Sequence, residues 1–141
     1  MFVTDEKELR KECKPCGARE GNIIGQRLLD ILAKTNDGVG LAANQVGINK
    51  KVCVVNVDRP IVLINPKIVG KFGKSYFQEG CLSFPGKVVM TERWTNIVVS
   101  CAGSKQYIFS FEKNPLECVC VQHEIDHLNG VTMFDRAIND L

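Results

Sequence analysis

Asn114-Pro115-Leu116-Glu117-Cys118-Val119-Cys120-Val121-Gln122-His123-Glu124-Ile125-Asp126-His127-Leu128-Asn129-Gly130 is the most informative stretch of the 141-residue chain. Asn114 has an N-cap side chain, Pro115 suits the first helical position, and Glu117 stands three residues after the cap. A helix is therefore predicted from Pro115 to about Asn129, with Gly130 as its stop. Within it, His123-Glu124-Ile125-Asp126-His127 is H-E-x-x-H, and a four-residue step puts both imidazoles on one face, one turn apart. Two nitrogen ligands can then meet one metal ion. Glu124, beside the first of them, can reach a metal-bound water without being a ligand, which is the placement of a general base. The plainer alternative is an amphipathic helix whose histidines happen to lie four apart. These are the only two histidines in the chain, so no other imidazole competes.

Upstream of this helix the pattern changes. From Lys51 to Phe111 short β-branched runs (KVCVVNV, IVLIN, KVVMT, NIVVSC, QYIFSF) are broken by Pro60, Pro66, Gly73, Pro85 and Gly103. Such runs predict an antiparallel or mixed sheet. Before them, residues 5 to 14 predict a short polar helix. A longer one is expected after Asn22 as N-cap, with Ile24, Leu28, Ile31 and Leu32 at helical spacing until Asp37 and Gly38. Helix, several strands, helix is not the alternation of a doubly wound sheet. The expected class is α+β, one domain over residues 1–141, with a small mixed or antiparallel sheet packed around the H-E-x-x-H helix.

Composition narrows the partners. A net charge of +2, without a basic run longer than two residues, gives no footprint for nucleic acid or an anionic membrane. The start, MFVTDEKELR, turns acidic within five residues and lacks the apolar segment of a signal peptide. The expectation is a cytoplasmic monomer. The seven cysteines are odd in number, and with no sign of secretion they are read as reduced thiols.

A catalytic metal site needs a third protein ligand and an open position for water. Fourteen residues follow His127, with no His or Glu among them, so the third ligand is expected from upstream. Thiolate joins imidazole readily on zinc or ferrous iron. Spacing alone does not choose among the cysteines. Cys13 and Cys16 form a C-x-x-C pair with no second pair, while Cys53 and Cys101 lie in β-branched runs and read as buried small hydrophobes. Cys118 and Cys120 share the histidine helix. Cys81 differs, because Glu79-Gly80-Cys81-Leu82-Ser83 is a polar, turn-like segment between strands.

Three segments together resemble the peptide deformylase family. Gly38-Val39-Gly40-Leu41-Ala42-Ala43-Asn44-Gln45 is similar to its G-φ-G-L-A-A-x-Q box, where φ is apolar. Glu79-Gly80-Cys81-Leu82-Ser83 is similar to its E-G-C-L-S box, and Gln122 to Leu128 to its Q-H-E-φ-D-H-L box. Leu63-Ile64-Asn65-Pro66 also resembles a strand ending of the family, so the likeness spans roughly residues 5 to 136. The resemblance implies one divalent ion, Fe(II) in the cell and replaceable by zinc, nickel or cobalt, held by Cys81, His123 and His127. It implies Glu124 as acid/base, with the Gln45 amide and the Leu82 backbone N–H as oxyanion donors. It implies a substrate pocket at Val39, Leu116 and Cys120 and a backbone contact at Gly40, although Leu116 taken alone reads as core. The implied reaction removes the formyl group from the N-terminal methionine of nascent polypeptides, at the ribosome.

Two departures stand out. Bacterial members often carry an arginine seven residues beyond the cysteine, where this chain has Val88 preceded by Lys87. The chain also stops at Leu141, short of the longer C-terminal segment of most members, which resembles minimal deformylases of bacteriophages. The expected location is the cytoplasm of a bacterial cell, with a phage gene as candidate origin. The competing readings are a zinc endopeptidase, which shares H-E-x-x-H, and a non-catalytic zinc module closed by one more thiolate.

Overall fold

The computed structural model describes residues 2–138. Its elements in chain order are α1 (Glu6–Leu9), α2 (Ala18–Leu32), β1 (Gly40–Ala42), β2 (Val52–Asn56), β3 (Pro60–Ile64), β4 (Lys67–Gly80), β5 (Val88–Ser100), β6 (Gln106–Ser110) and α3 (Pro115–Leu128). Short 3-10 turns occupy Ala43–Val46, Ala102–Ser104 and Met133–Arg136. The α+β class stands. The strands form two three-stranded sheets, β1-β2-β3 and β4-β5-β6, and every strand pair is antiparallel.

The helix α3 behaves as its caps predict: the Asn114 side chain accepts from Glu117 N–H, Pro115 opens the first turn, and Gly130 follows at φ 77°. It packs against β1 and β2 of one sheet and against β5 and β6 of the other. Every residue from Glu117 to Leu128 is buried in consequence. A helix covered on all sides carries no amphipathic stripe. Its polar groups must then find partners inside the protein. Gln122 shows how: beyond the end of β6, its amide accepts from Trp94 N–H at 3.0 Å and donates to Trp94 O at 2.8 Å. A side chain thus continues the hydrogen-bond ladder of β5.

Five sequence expectations change in detail. The helix read from Asn22 begins at Ala18, because Gly21 and Gly25 let α2 lie directly on β3. A Cβ on Gly21 would come within 2.6 Å of the Ile64 side chain, and one on Gly25 would strike Val62. Close packing outweighs the intrinsic cost of glycine here. The helix also ends at Leu32 rather than at Asp37, where Thr35 Oγ1 donates to Leu32 O and accepts from Gly38 N–H. Finally, KVVMT and NIVVSC are two parts of one strand, β5, paired along its length with β4. The polar alternation and glycines of β4 hide it from a search for apolar runs. The predicted polar helix at 5–14 shortens to α1, with Asp5 accepting from Lys7 N–H. Cys53 is core, as expected, but Cys101 falls just after β5 and is only half-buried.

Candidate active site

His123 and His127 lie one turn apart on α3, with their Nε2 atoms 3.2 Å apart. Cys81, in the turn after β4, brings Sγ to 3.3 Å from His127 Nε2. The three ligand atoms lie within 4.8 Å of one another. The long hairpin and the central helix are therefore what place a thiol against two imidazoles.

A second set of residues holds this cluster. His123 Nδ1 lies 2.8 Å from Glu79 Oε1, and because a carboxylate only accepts, Nδ1 carries the proton and Nε2 is left for the cluster. Glu79 in turn accepts from Thr91 Oγ1 and from Arg93 Nε and Nη2 at 2.5 and 2.8 Å. Arg93 Nη1 donates to Asp126 at 2.6 Å, and Asp126 accepts both Nε and Nη2 of Arg136 at 3.0 Å. Alternating carboxylates and guanidinia thus run from His123 across α3. Asn44 Nδ2 donates to His127 O at 2.7 Å, which steadies the other histidine through its backbone.

Electrostatics follow from burial and from this chain. Burial would push the Glu79 carboxyl up, but hydrogen bonds from Arg93 and His123 outweigh it and hold it down to about 2. Burial pushes the Glu124 carboxyl up to about 7; the charges of His123 and Arg93 oppose the rise, and those of Glu79 and Asp126 add to it. Burial, followed by the charge of His123, puts His127 well below its ordinary value. His123 rises against burial because Glu124, Cys81 and Glu79 surround it. A divalent cation among these groups would compete with protons for the thiol and the imidazoles.

Glu124 and the cluster open into a cavity of about 380 Å³. Gln45, Cys81, Leu82, His123 and Glu124 line it, as do Val39, Gly40, Leu116 and Cys120. His127 is fully buried and joins the cluster without lining the cavity. Leu116 is 39% exposed, so it belongs to the rim, not to the core that its type alone suggests. At Gly40 an added Cβ would sit 2.6 Å from Glu124 Oε2 and strike Cys120 Sγ, so only glycine lets the backbone come this close to the acid. Gln45 is buried; its Oε1 accepts from Ala42 N–H at 2.9 Å, which aims Nε2 at Ser83 Oγ (3.2 Å) and Cys81 Sγ (3.5 Å). Phe84 and Val119 also line the cavity and were not found by sequence reasoning, since single apolar residues carry no motif. Lys87 and Val88 stand at the same wall, where the sequence departs from the common pattern.

The residues suit a metal ion. Their donor set is one thiol and two imidazole nitrogens, a combination that borderline and soft divalent ions favour. Glu124 Oε1 and His127 Nδ1 are buried without a protein partner. Among the described residues this is the one such cluster of His, Cys and carboxylate side chains, and it contains no second thiol.

The family described as Polypeptide deformylase matches residues 1–140. The chain belongs to the peptide deformylase family. It is 38% identical to a peptide deformylase of Hydrogenovibrio crunogenus, over 96% of this chain and 83% of that one. Among solved structures it resembles a peptide deformylase of Synechococcus elongatus in complex with actinonin, at TM-score 0.85 and 35% identity, covering 99% of this chain and 79% of that one. It also resembles a probable peptide deformylase of Synechococcus phage S-SSM7, at TM-score 0.84 and 31% identity, covering 96% and 98% of the two chains. As a deformylase the protein is a metal-dependent hydrolase that removes the N-formyl group of nascent peptides. The endopeptidase and closed-zinc readings fall away. No helix among the described residues is long and apolar enough to cross a membrane.

Proposed function

We propose that Cys81, His123 and His127 hold a single divalent cation and that Glu124 is the acid/base of deformylation. What supports this most is the convergence of three ligand atoms within 4.8 Å on a cavity that also exposes the Glu124 carboxylate. A divalent cation with an open position lowers the pKa of a water and polarises a carbonyl. Glu124 takes a proton from the attacking water as the formyl carbon turns tetrahedral, then delivers it to the departing amine nitrogen. Burial pushes its carboxyl up and the cation would draw it down, which suits proton transfer in both directions. Gln45 Nε2, pre-aimed by Ala42, and Leu82 N–H donate to the oxyanion as it forms. Val39, Leu116 and Cys120 receive the methionine side chain, and the backbone at Gly40 pairs with the extended peptide.

The same reading takes ferrous iron as the cation in the cell, with zinc, nickel or cobalt as substitutes, because one thiolate and two imidazoles accept all four. The enzyme then acts as a monomer on formylmethionyl ends at the ribosome, in a bacterial cytoplasm. The test measures formate release from formyl-Met-Ala-Ser by wild type and Glu124→Gln, with metal content measured on both. The variant is expected to keep its metal and lose about 10²-fold or more of its turnover. Turnover within a few-fold of wild type would remove Glu124 from the mechanism.

A further inference from the structure

The turn after β4 has two ends, and different elements hold them. At its start, Gln45 reaches both Cys81 Sγ and Ser83 Oγ, so this end is fixed from within the active site. Beyond Ser83 the chain turns twice, through Phe84 N–H to Cys81 O at 3.0 Å and Lys87 N–H to Phe84 O at 3.1 Å. Phe84 is the corner shared by both turns, and its side chain lines the cavity. Its ring meets that of Phe134 edge to face, with centroids 4.9 Å apart and planes at 74°.

Phe134 belongs to the 3-10 turn Met133–Arg136, after α3, and does not line the cavity. That turn is tied on both sides. Asp135 accepts two bonds from Arg10 at 3.0 and 3.1 Å, and Arg136 clamps Asp126 on α3. Ile138 N–H also donates to Met90 O on β5. A ring carried by an anchored segment thus bears on a ring that walls the substrate cavity.

We propose that Phe134 is a positioning residue for substrate binding, which acts by holding Phe84 in the cavity wall. The inference rests on the reading of this cavity as the peptide site. It also divides the turn by function: Gln45 governs the end that serves the chemical step, and Phe134 governs the end that binds peptide. Loss of the brace therefore weakens substrate binding and leaves the chemistry in place.

The experiment compares wild type, Phe84→Ala, Phe134→Ala, Phe134→Leu and the double alanine variant, all zinc-loaded and at full length. KM and kcat are measured for formyl-Met-Ala-Ser, metal content is measured on each, and the product peptide Met-Ala-Ser is titrated calorimetrically. An edge-to-face pair supports a rise in KM of about threefold to tenfold for either alanine variant. The double variant is expected to match the single ones instead of multiplying them, with kcat within about twofold and metal content unchanged. Phe134→Leu, which fills part of the space but loses the edge-to-face contact, should raise KM in the same direction by less and keeps the test open if Phe134→Ala folds poorly. The proposal is overturned if Phe134→Ala and Phe134→Leu both leave KM and product affinity unchanged, if the two alanine effects multiply, or if metal is lost. If Phe84→Ala itself has no effect on KM in an active enzyme, the reading of the cavity fails instead.

Discussion

Two regions of this molecule obey opposite rules. In α3 every residue from Glu117 to Leu128 is buried, including two histidines, three acids and a glutamine. In the β4–β5 ribbon one face lies on the core while the other stands in water, with Phe72 75% and Tyr76 63% exposed. On the ribbon, exposure alternates from residue to residue because each face meets a different medium. On α3 no such sorting exists, so each side chain is set by one particular neighbour. The lesson is that residue type carries chemical meaning where water is absent, and far less where a side chain can turn away.

The comparison breaks most visibly at the metal. Cys81→Ala removes the one thiol of the cluster and is expected to strip both metal and activity, whereas Cys53→Ala, equally a lost thiol but in the core of β2, should cost only about 1 kcal/mol of stability. Metal content and chemical denaturation of the two variants decide this, and a metal-free but active Cys81→Ala would sink the assignment. Gly40→Ala tests the contact between β1 and α3. Its new Cβ must displace the Glu124 carboxylate, so kcat/KM should fall by about 10²-fold with metal retained. A rate near wild type would show that α3 yields more than its burial implies.

On the ribbon, Phe72→Ser and Tyr76→Ser should change stability by no more than about 0.5 kcal/mol and leave kcat/KM alone. A larger shift in the denaturation midpoint would mean that the outer face is covered in solution. The smallest effect concerns acid. Arg10 holds the Asp135 carboxyl below its ordinary value, so Asp135 stabilises the fold above the unfolded aspartate pKa of roughly 3.9, and that contribution disappears as pH falls further. Arg10→Met should therefore lie slightly below wild type in stability at pH 7 and converge with it at low pH. Because this pair is solvent-exposed, the gap should also shrink in salt.

Much of the site is legible in the sequence because its motifs are local. Asn114, Pro115 and Glu117 mark the start of α3, and the H-E-x-x-H step follows from helical geometry alone. The three sequence boxes contain the ligand cluster, Glu124 and Gln45, and the packing of α3 against both sheets brings the boxes together. What holds the cluster is not legible. Glu79 and Asp126 stand inside two of the boxes, yet their partner is Arg93, in the middle of a strand. Only the pairing of β4 with β5 shows that Glu79 and Arg93 share a face. The start of α2 was missed for a related reason: Gly21 and Gly25 look like helix breakers until β3 is placed against them. Phe84 and Phe134, 50 positions apart, carry no pattern that links them.

Gln122 completing the ladder of β5 has a consequence for the order in which the protein is made. A strand would normally satisfy Trp94, yet here the partner is a side chain that is translated 28 residues later. The hairpin has its own pairing, but the backbone of Trp94 is satisfied on its other side only when α3 is docked. Amide exchange at Trp94 should therefore report the arrival of α3 instead of the closing of the hairpin. In synthesis the histidines and the group that seals the sheet emerge together on one segment, so the metal cluster and the closure of the sheet are expected to form together.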